Sequence, residues 1–360
     1  MCDRITFKPV LVATNAVNKT IKTTREDATM LIDARGMPAT FRALAVATAL
    51  FGATIQAFSQ EKVRVALGDV LSTETVSMVI ALERARERGV DYQITHFAKE
   101  ELAIQAVVNG QADLGVGTPY AVIQKSKAPI RVLFQGTRLV FFPVADKSYK
   151  SWKDLDGQPF TFHARATGTE AIGNIIAKRE GINFGERSYV PGSENRIIGM
   201  MKGQIKATIV DLANKNVLME KAGDKFHVLP GVSQPASDET LFGRIDWIQK
   251  NEAKVDIIVT EFYRLWQEMA KNPSIVEVER AKRKLMADQP KEILEGVTKF
   301  YTVATKEGVF APGGGSAEVA KSDFEFYVEA GQMTGPVGDL KVEDFWYLAP
   351  LEKAKKALGS

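Results

Sequence analysis

The sequence predicts an α/β protein built from two doubly wound units. Three observations carry this. Short apolar, β-branched runs alternate with amphipathic stretches from residue 62 to about 235. The alternation restarts near 141, and from about 238 the periodicity becomes that of long helices. A repeated strand–helix order builds mostly parallel sheets with helices on both faces.

In the first unit, VRVAL at Val63–Leu67 reads as a strand. The stretch 75–88 puts Val76, Val79, Ile80 and Leu82 on one helical face, and Gly89 ends it. Strands are expected at 92–97, 113–117 and 130–134, with helices at 100–109 and from Tyr120 onward. In the second unit strands are expected at 139–144, 160–163, 189–190, 207–210 and 226–229. Helices fill 169–180 and 194–202, stopped by Gly181 and Gly203. Beyond 238, Ile257, Ile258, Phe262, Leu265 and Trp266 lie at helical spacing, and Pro273 closes that run. Further helices are expected near 290–301, 323–330 and 340–358, packing back on the first unit.

The chain before residue 60 has a different character. Arg42 precedes an apolar stretch from Ala43 to Ala53, and Ala57-Phe58-Ser59 offers small residues where a signal peptidase reads them. This is the secretory pattern, too short to span a bilayer. Residues 37–59 are therefore expected to be a signal peptide cleaved near Ser59, and 1–36 an over-extended start or disordered extension. A buried core helix is the competing reading of 37–59. Export places the rest in the periplasm.

Charge and cysteine content narrow the function classes. The chain holds 47 Lys and Arg against 44 Asp and Glu. The segment before residue 60 takes seven of the former and four of the latter, leaving 40 of each. A neutral chain without a basic run argues against nucleic acid as a partner. The one cysteine, Cys2, lies in the extension, so the rest has no disulfide, thiolate nucleophile or cysteine metal site. His96, His163 and His227 lack metal-ligand spacing, and no phosphate-binding glycine motif occurs. Neither a metal nor a cofactor is expected.

Several segments together resemble the periplasmic solute-binding proteins of ABC importers, in the NMT1-like group named for nitrate, sulfonate and thiamine-precursor binding. They are Asn109-Gly-Gln-Ala-Asp-Leu-Gly115, Ala128-Pro-Ile-Arg-Val132, Ser151-Trp-Lys-Asp-Leu-Asp-Gly157, Gly203-Gln-Ile-Lys-Ala207 and the helical stretch 246–273. The resemblance covers about 62–305. It implies a type II periplasmic binding protein fold: two lobes, a two-strand hinge and a solute trapped between. Residues 60–140 and 236–360 would form lobe 1, and 141–235 lobe 2. The implied role is non-enzymatic capture of a small organic solute for an inner-membrane ABC permease, by a monomer. A secreted sensor for a membrane receptor, or an enzyme on the same fold, are the alternatives. The cysteine-rich motif of the related thiamine-pyrimidine synthases is absent.

In such a fold the loops after the strands face the cleft. Ser72 and Thr73 precede a helix, where they could meet an anion or simply cap it. Thr118 precedes Pro119 at another helix start, and Tyr120 could stack on a ligand ring or bury in the lobe. Thr167, Gly168 and Thr169 form a small-residue turn onto a helix, with Arg165 beside them as a forked anion donor or a surface ion-pair member. Asp211 could hold a ligand amine or hydroxyl, or pair with Arg165. Phe141 and Phe142 could form an apolar wall, and Arg138 is a second anion candidate. This set favours a small anion, a carboxylate or sulfonate, with room for an aromatic body.

The exported protein is expected to begin at Gln60 or within three residues of it. N-terminal sequencing of the periplasmic fraction checks this, and a full-length cytoplasmic chain would refute it.

Overall fold

The computed structural model describes residues 61–232 and 236–359. The expected extension and export signal, residues 1–36 and 37–59, lie outside the described residues. The strands are β1 (Val63–Leu67), β2 (Tyr92–His96), β3 (Leu114–Gly117), β4 (Ile130–Gln135), β5 (Phe142–Asp146), β6 (Phe160–Phe162), β7 (Arg187–Tyr189), β8 (Ala207–Val210), β9 (Phe226–Val228) and β10 (Thr240–Arg244). They form two five-stranded sheets, β2-β1-β3-β10-β4 and β7-β6-β8-β5-β9. The helices that connect and cover them begin with α1 (Val76–Glu87), α2 (Glu100–Val108), α3 (Tyr120–Ser126), α4 (Gly168–Glu180), α5 (Ser193–Met201) and α6 (Leu212–Ala222). They continue with α7 (Ile245–Lys250), α8 (Glu252–Lys271), α9 (Ile275–Lys282), α10 (Lys291–Lys306), α11 (Ala317–Glu329) and α12 (Ala349–Leu358).

Both sheets are mostly parallel, as expected, and each is mixed by one antiparallel strand. β1 runs parallel to β2 and β3, but β10 inserts antiparallel between β3 and β4. Likewise β6 is parallel to β7 and β8, while β5 is antiparallel to β8 and β9. Which strand runs antiparallel could not be read from the sequence, because a fully buried strand shows no direction in its hydrophobic pattern. β10 (TLFGR) was missed altogether, since so short an apolar run before long helices gives no alternation to detect.

The chain passes between the sheets twice, from Gln135 to Phe142 and from Val228 to Thr240. The crossing segments bond to each other antiparallel: Leu139 N–H donates to Ala236 O at 3.0 Å and Asp238 N–H to Thr137 O at 3.0 Å. Each is also fastened to the helices of the first sheet. α8 turns Val255, Ile258, Val259, Phe262, Leu265, Trp266 and Met269 inward, the 3.6-residue stripe of an amphipathic helix. Its Trp266 is fully buried, meets Phe134 edge-on at 5.4 Å and donates its indole N–H to Gly136 O at 2.6 Å. That bond fixes the start of the first crossing.

The second crossing is held at Ser237. Its amide and hydroxyl donate to Asp323 of α11 at 2.6 and 2.7 Å, and its carbonyl accepts from Tyr327 OH at 2.8 Å. Gln135 donates to its hydroxyl at 2.9 Å. Tyr120 OH also donates to Asp323, and Trp346 Nε1–H donates to Tyr120 OH at 3.0 Å. Every member of this network is buried, and burial pushes the Asp323 carboxyl up to about 7.

The two halves also touch directly. Glu101 of α2 accepts from the Arg165 amide at 3.0 Å, and Gln332 donates to Thr167 O at 3.0 Å. Asn174 donates to Ala330 O at 3.1 Å, and Arg179 of α4 forks onto Glu329 of α11 at 2.8 and 2.9 Å.

Asp323→Ala leaves three buried donors without an acceptor, each costing about 1–3 kcal/mol. A loss of at least ~3 kcal/mol in urea unfolding is expected, with Asp323→Asn losing less because an acceptor oxygen remains.

Candidate functional site

The loops after β1, β6, β7 and β8 converge with both crossing segments on a cavity of about 100 Å³. A larger one of about 600 Å³ adjoins it and shares Asp69, Glu74, Glu194, Leu212 and Phe300. The smaller cavity is rich in acid. Among the described residues it is lined by seven carboxyl side chains (Asp69, Glu74, Glu100, Glu194, Asp211, Asp238 and Glu239) against Arg138 and Arg196.

Glu100 shows how an acid is built into the floor. Its Oε1 accepts from the Thr118 amide at 2.5 Å and from the Thr118 hydroxyl. Two glycines make room for it. A Cβ on Gly117 would stand 2.8 Å from Glu100 Oε1, and one on Gly68 would stand 2.7 Å from Glu100 Cα. Gly117 also has φ +150, which side chains rarely adopt. Burial raises the Glu100 pKa, and the bonds from Thr118 oppose the rise. Burial likewise pushes Glu74 well above the usual carboxylate range, and the neighbouring Asp211 adds to it. Asp238 and Glu239 are raised well above normal by burial, then by the nearby Glu100.

Of the two arginines, Arg138 makes one long bond, from Nη1 to Gly308 O at 3.4 Å, and Arg196 is already committed. Arg196 is fully buried; its Nε and Nη2 donate to Ile209 O at 3.2 and 3.0 Å, Nη2 to Ser193 Oγ at 2.8 Å and Nη1 to Val190 O at 2.8 Å. His163 Nδ1 lies 3.5 Å from Nη1. The guanidinium therefore spends its donors holding the ends of β7 and β8 together. Burial lowers its pKa to about 10, opposed by Asp211 and Glu194. His163 Nδ1 accepts from the Gly192 amide at 3.3 Å, and burial with Arg196 alongside lowers its pKa to about 4. His163 is thus a neutral imidazole protonated on Nε2.

The structure disperses the residues expected from sequence. Thr167, Gly168, Thr169 and Asp211 line the small cavity, as do Arg138 and Phe141. The Thr167 hydroxyl donates to Ala164 O at 2.9 Å, and Thr169 Oγ1 accepts from His163 N–H at 3.1 Å, so the start of α4 presents mainly its backbone. Asp211 caps α6, accepting from the Asn214 amide and side chain at 2.8 Å each. It does not pair with Arg165. Ser72 and Thr73 line the larger cavity, where Ser72 Oγ also accepts from the Glu74 amide at 3.3 Å. Thr118 and Tyr120 are buried at 4% and 1% and line neither cavity, since their polar atoms bond to Glu100 and Asp323. Arg165 is exposed and stacks over Tyr189 at 4.6 Å. Phe142 lies under Lys215 Nζ at 4.5 Å instead of forming the wall.

Sequence reasoning missed Arg196 and most of the acids. Asp238 and Glu239 stand immediately before β10, so recognising that strand would have placed both at the cleft. Among the described residues no group of three or more His, Cys, Asp or Glu is placed to hold a metal ion. No described helix is long and apolar enough to cross a membrane.

Two five-stranded α/β sheets joined by two crossing segments, with a lined cavity at the crossing, define the periplasmic binding protein fold. Similar structures agree. One is a Bordetella bronchiseptica RB50 protein, with 16% identity, TM-score 0.66, and coverage of 83% of this chain and 98% of that one. Another is the periplasmic nitrate-binding protein NrtA of Synechocystis, with 14% identity, TM-score 0.60, and coverage of 83% and 89%. A third is the periplasmic sulfonate-binding protein SsuA of Methylobacillus flagellatus KT, with 16% identity, TM-score 0.59, and coverage of 83% and 95%. At these identities the likeness is one of fold. The family described as NMT1/THI5 like matches residues 79–275, and the chain belongs to that family. No curated protein matches the chain by sequence.

The depressed pKa of His163 links stability to pH. Between about 4 and 6.5 the unfolded imidazole takes up a proton that the folded one refuses, so stability falls as pH drops through this window. The contribution is on the order of 3 kcal/mol at its limit. His163→Gln is expected to flatten this part of the stability–pH curve, as read by urea midpoints at pH 7 and pH 4.5.

Proposed function

We propose that the protein is a periplasmic solute-binding protein of an ABC importer, and that its solute is a small organic cation of the amine or amidine type. In this reading residues 60–140 and 236–360 close as one lobe against 141–235. The monomer delivers its solute to an inner-membrane permease without a cofactor or catalysis. Family membership and fold support the class of function. The excess of carboxyl groups over free cationic donors supports the ligand charge.

The argument is electrostatic. Buried carboxyls are stable when neutral or when paired with a cation. Glu74, Glu100, Asp238 and Glu239 are all raised by burial, so their ionised forms are disfavoured unless a cation pairs with them. An ammonium or amidinium supplies the missing donors and charge. A sulfonate or carboxylate would meet carboxyls, with Arg196 already engaged by carbonyl oxygens. The sulfonate- and nitrate-binding proteins of similar fold supply the lobes and the hinge to this reading, but not the ligand. The anion expected from the sequence rested on Arg165 and Thr118, which line neither cavity, and on the helix starts at Ser72, Thr73, Thr167 and Thr169, which line one or the other.

A thermal-shift screen of small amines and amidines against matched carboxylates and sulfonates is expected to favour the cations. Uniformly stronger stabilisation by the anions would overturn the reading. For a cation that binds, Glu74→Gln is expected to cost at least ~2 kcal/mol, the scale for removing one partner of a desolvated charge pair. Arg165→Ala is expected to change affinity less than about threefold, under ~0.7 kcal/mol. Binding must ionise carboxyls whose pKa is raised, so it releases protons and affinity climbs with pH. Calorimetry in buffers of different ionisation enthalpy reads this directly.

A further inference from the structure

Resting on that reading, we infer that the solute is an amphipathic cation, whose charged head enters the acidic cavity and whose apolar body occupies the adjoining one. A complete small-molecule site typically encloses about 300–1,000 Å³. The acidic cavity, at about 100 Å³, is below that range, and the adjoining one, at about 600 Å³, is within it. The two share the lining residues Asp69, Glu74, Glu194, Leu212 and Phe300, so one molecule can run through both.

The chemistry changes along that path. The larger cavity is lined by Leu71, Val217 of α6, and Met286, Ile293 and Val303 on and before α10. Ile293 is 42% exposed, and Val70 on the same wall is 56% exposed. Large apolar side chains left in water beside a polar cavity are the pattern of a site that an apolar group completes. Lys299 and Glu220, also on the wall, are exposed and of opposite sign, and so set no net preference there. Among the described residues, the acids shared by both cavities lie where the apolar wall meets the small cavity, which orients the head inward. The apolar wall joins α6, after a strand of the second sheet, to α10, beside the first. An apolar body there bridges both halves and favours their closure.

The test is calorimetric titration of the purified protein with n-alkylammonium ions from ethyl to octyl, and with the matching alkanesulfonates. Ammonium affinity is expected to rise about fourfold per methylene over several carbons, the value of burying one such group. Ile293→Asn, at a half-exposed position where folding is spared, is expected to weaken octylammonium binding several-fold more than ethylammonium binding. A flat ammonium series overturns the amphipathic inference and leaves the cation reading standing. A rising sulfonate series with no ammonium binding overturns the cation reading, and the proposed ligand class with it. A rising ammonium series unaffected by Ile293→Asn places the apolar body elsewhere and overturns the assignment of this cavity.

Discussion

The position of Ser237 decides where the cleft is. Its amide, carbonyl and hydroxyl are bound to Asp323, Tyr327 and Gln135, and none has water as a substitute. A buried backbone that crosses between sheets cannot use ladder bonds for all its polar groups, so side chains must supply them. Because Ser237 is fixed, the next two residues, Asp238 and Glu239, must project at the crossing. The first crossing is held at the same level by Trp266 on Gly136. Asp238 and Glu239 are thus placed by a network that neither of their side chains joins.

The cavity itself is a study in charge confined without neutralisation. Arg196 could have served as counter-ion to the acids, yet its hydrogens go to carbonyl and hydroxyl oxygens that tie β7 to β8. Its side chain still lines the cavity, and it adds to the burial that keeps His163 neutral. Glu100 receives two bonds from Thr118, which lets it keep charge more readily than Glu74, Asp238 or Glu239. The cost of ionisation is therefore graded across the site, from the exposed Glu194 to the buried acids inside.

Much of the fold was legible because it rests on local pattern. The strand–helix alternation of β1 to β4, the restart at β5 and the stripe along α8 are all properties of neighbouring residues. β10 was not legible, nor was the one antiparallel strand in each sheet, since pairing partners lie far apart in sequence and a four- or five-residue apolar run carries no polarity. The site followed the same division. Thr167, Gly168, Thr169 and Asp211 were found because a strand end followed by a helix start is visible locally. Thr118 and Tyr120 fit the same rule but are consumed by Glu100 and Asp323, partners 18 and 203 residues away. Arg165 is exposed and lies over Tyr189, outside the cavity, while Arg196 sits inside an ordinary amphipathic helix. The sign of the cavity's charge is a sum over seven carboxyls and two arginines from six separated segments, and no single motif contains it.

The direct bonds between the halves, from Arg165 to Glu101, Gln332 to Thr167, Asn174 to Ala330 and Arg179 to Glu329, must break before the halves can part. A molecule joined in this way admits its cargo only from a form in which they are broken. Measured affinity is then weakened by the fraction of time spent open. Capture at high solute concentration levels off at the opening rate, whatever the diffusion rate outside. Selectivity against bulky or wrongly charged compounds begins at that threshold, ahead of any contact with the acids inside.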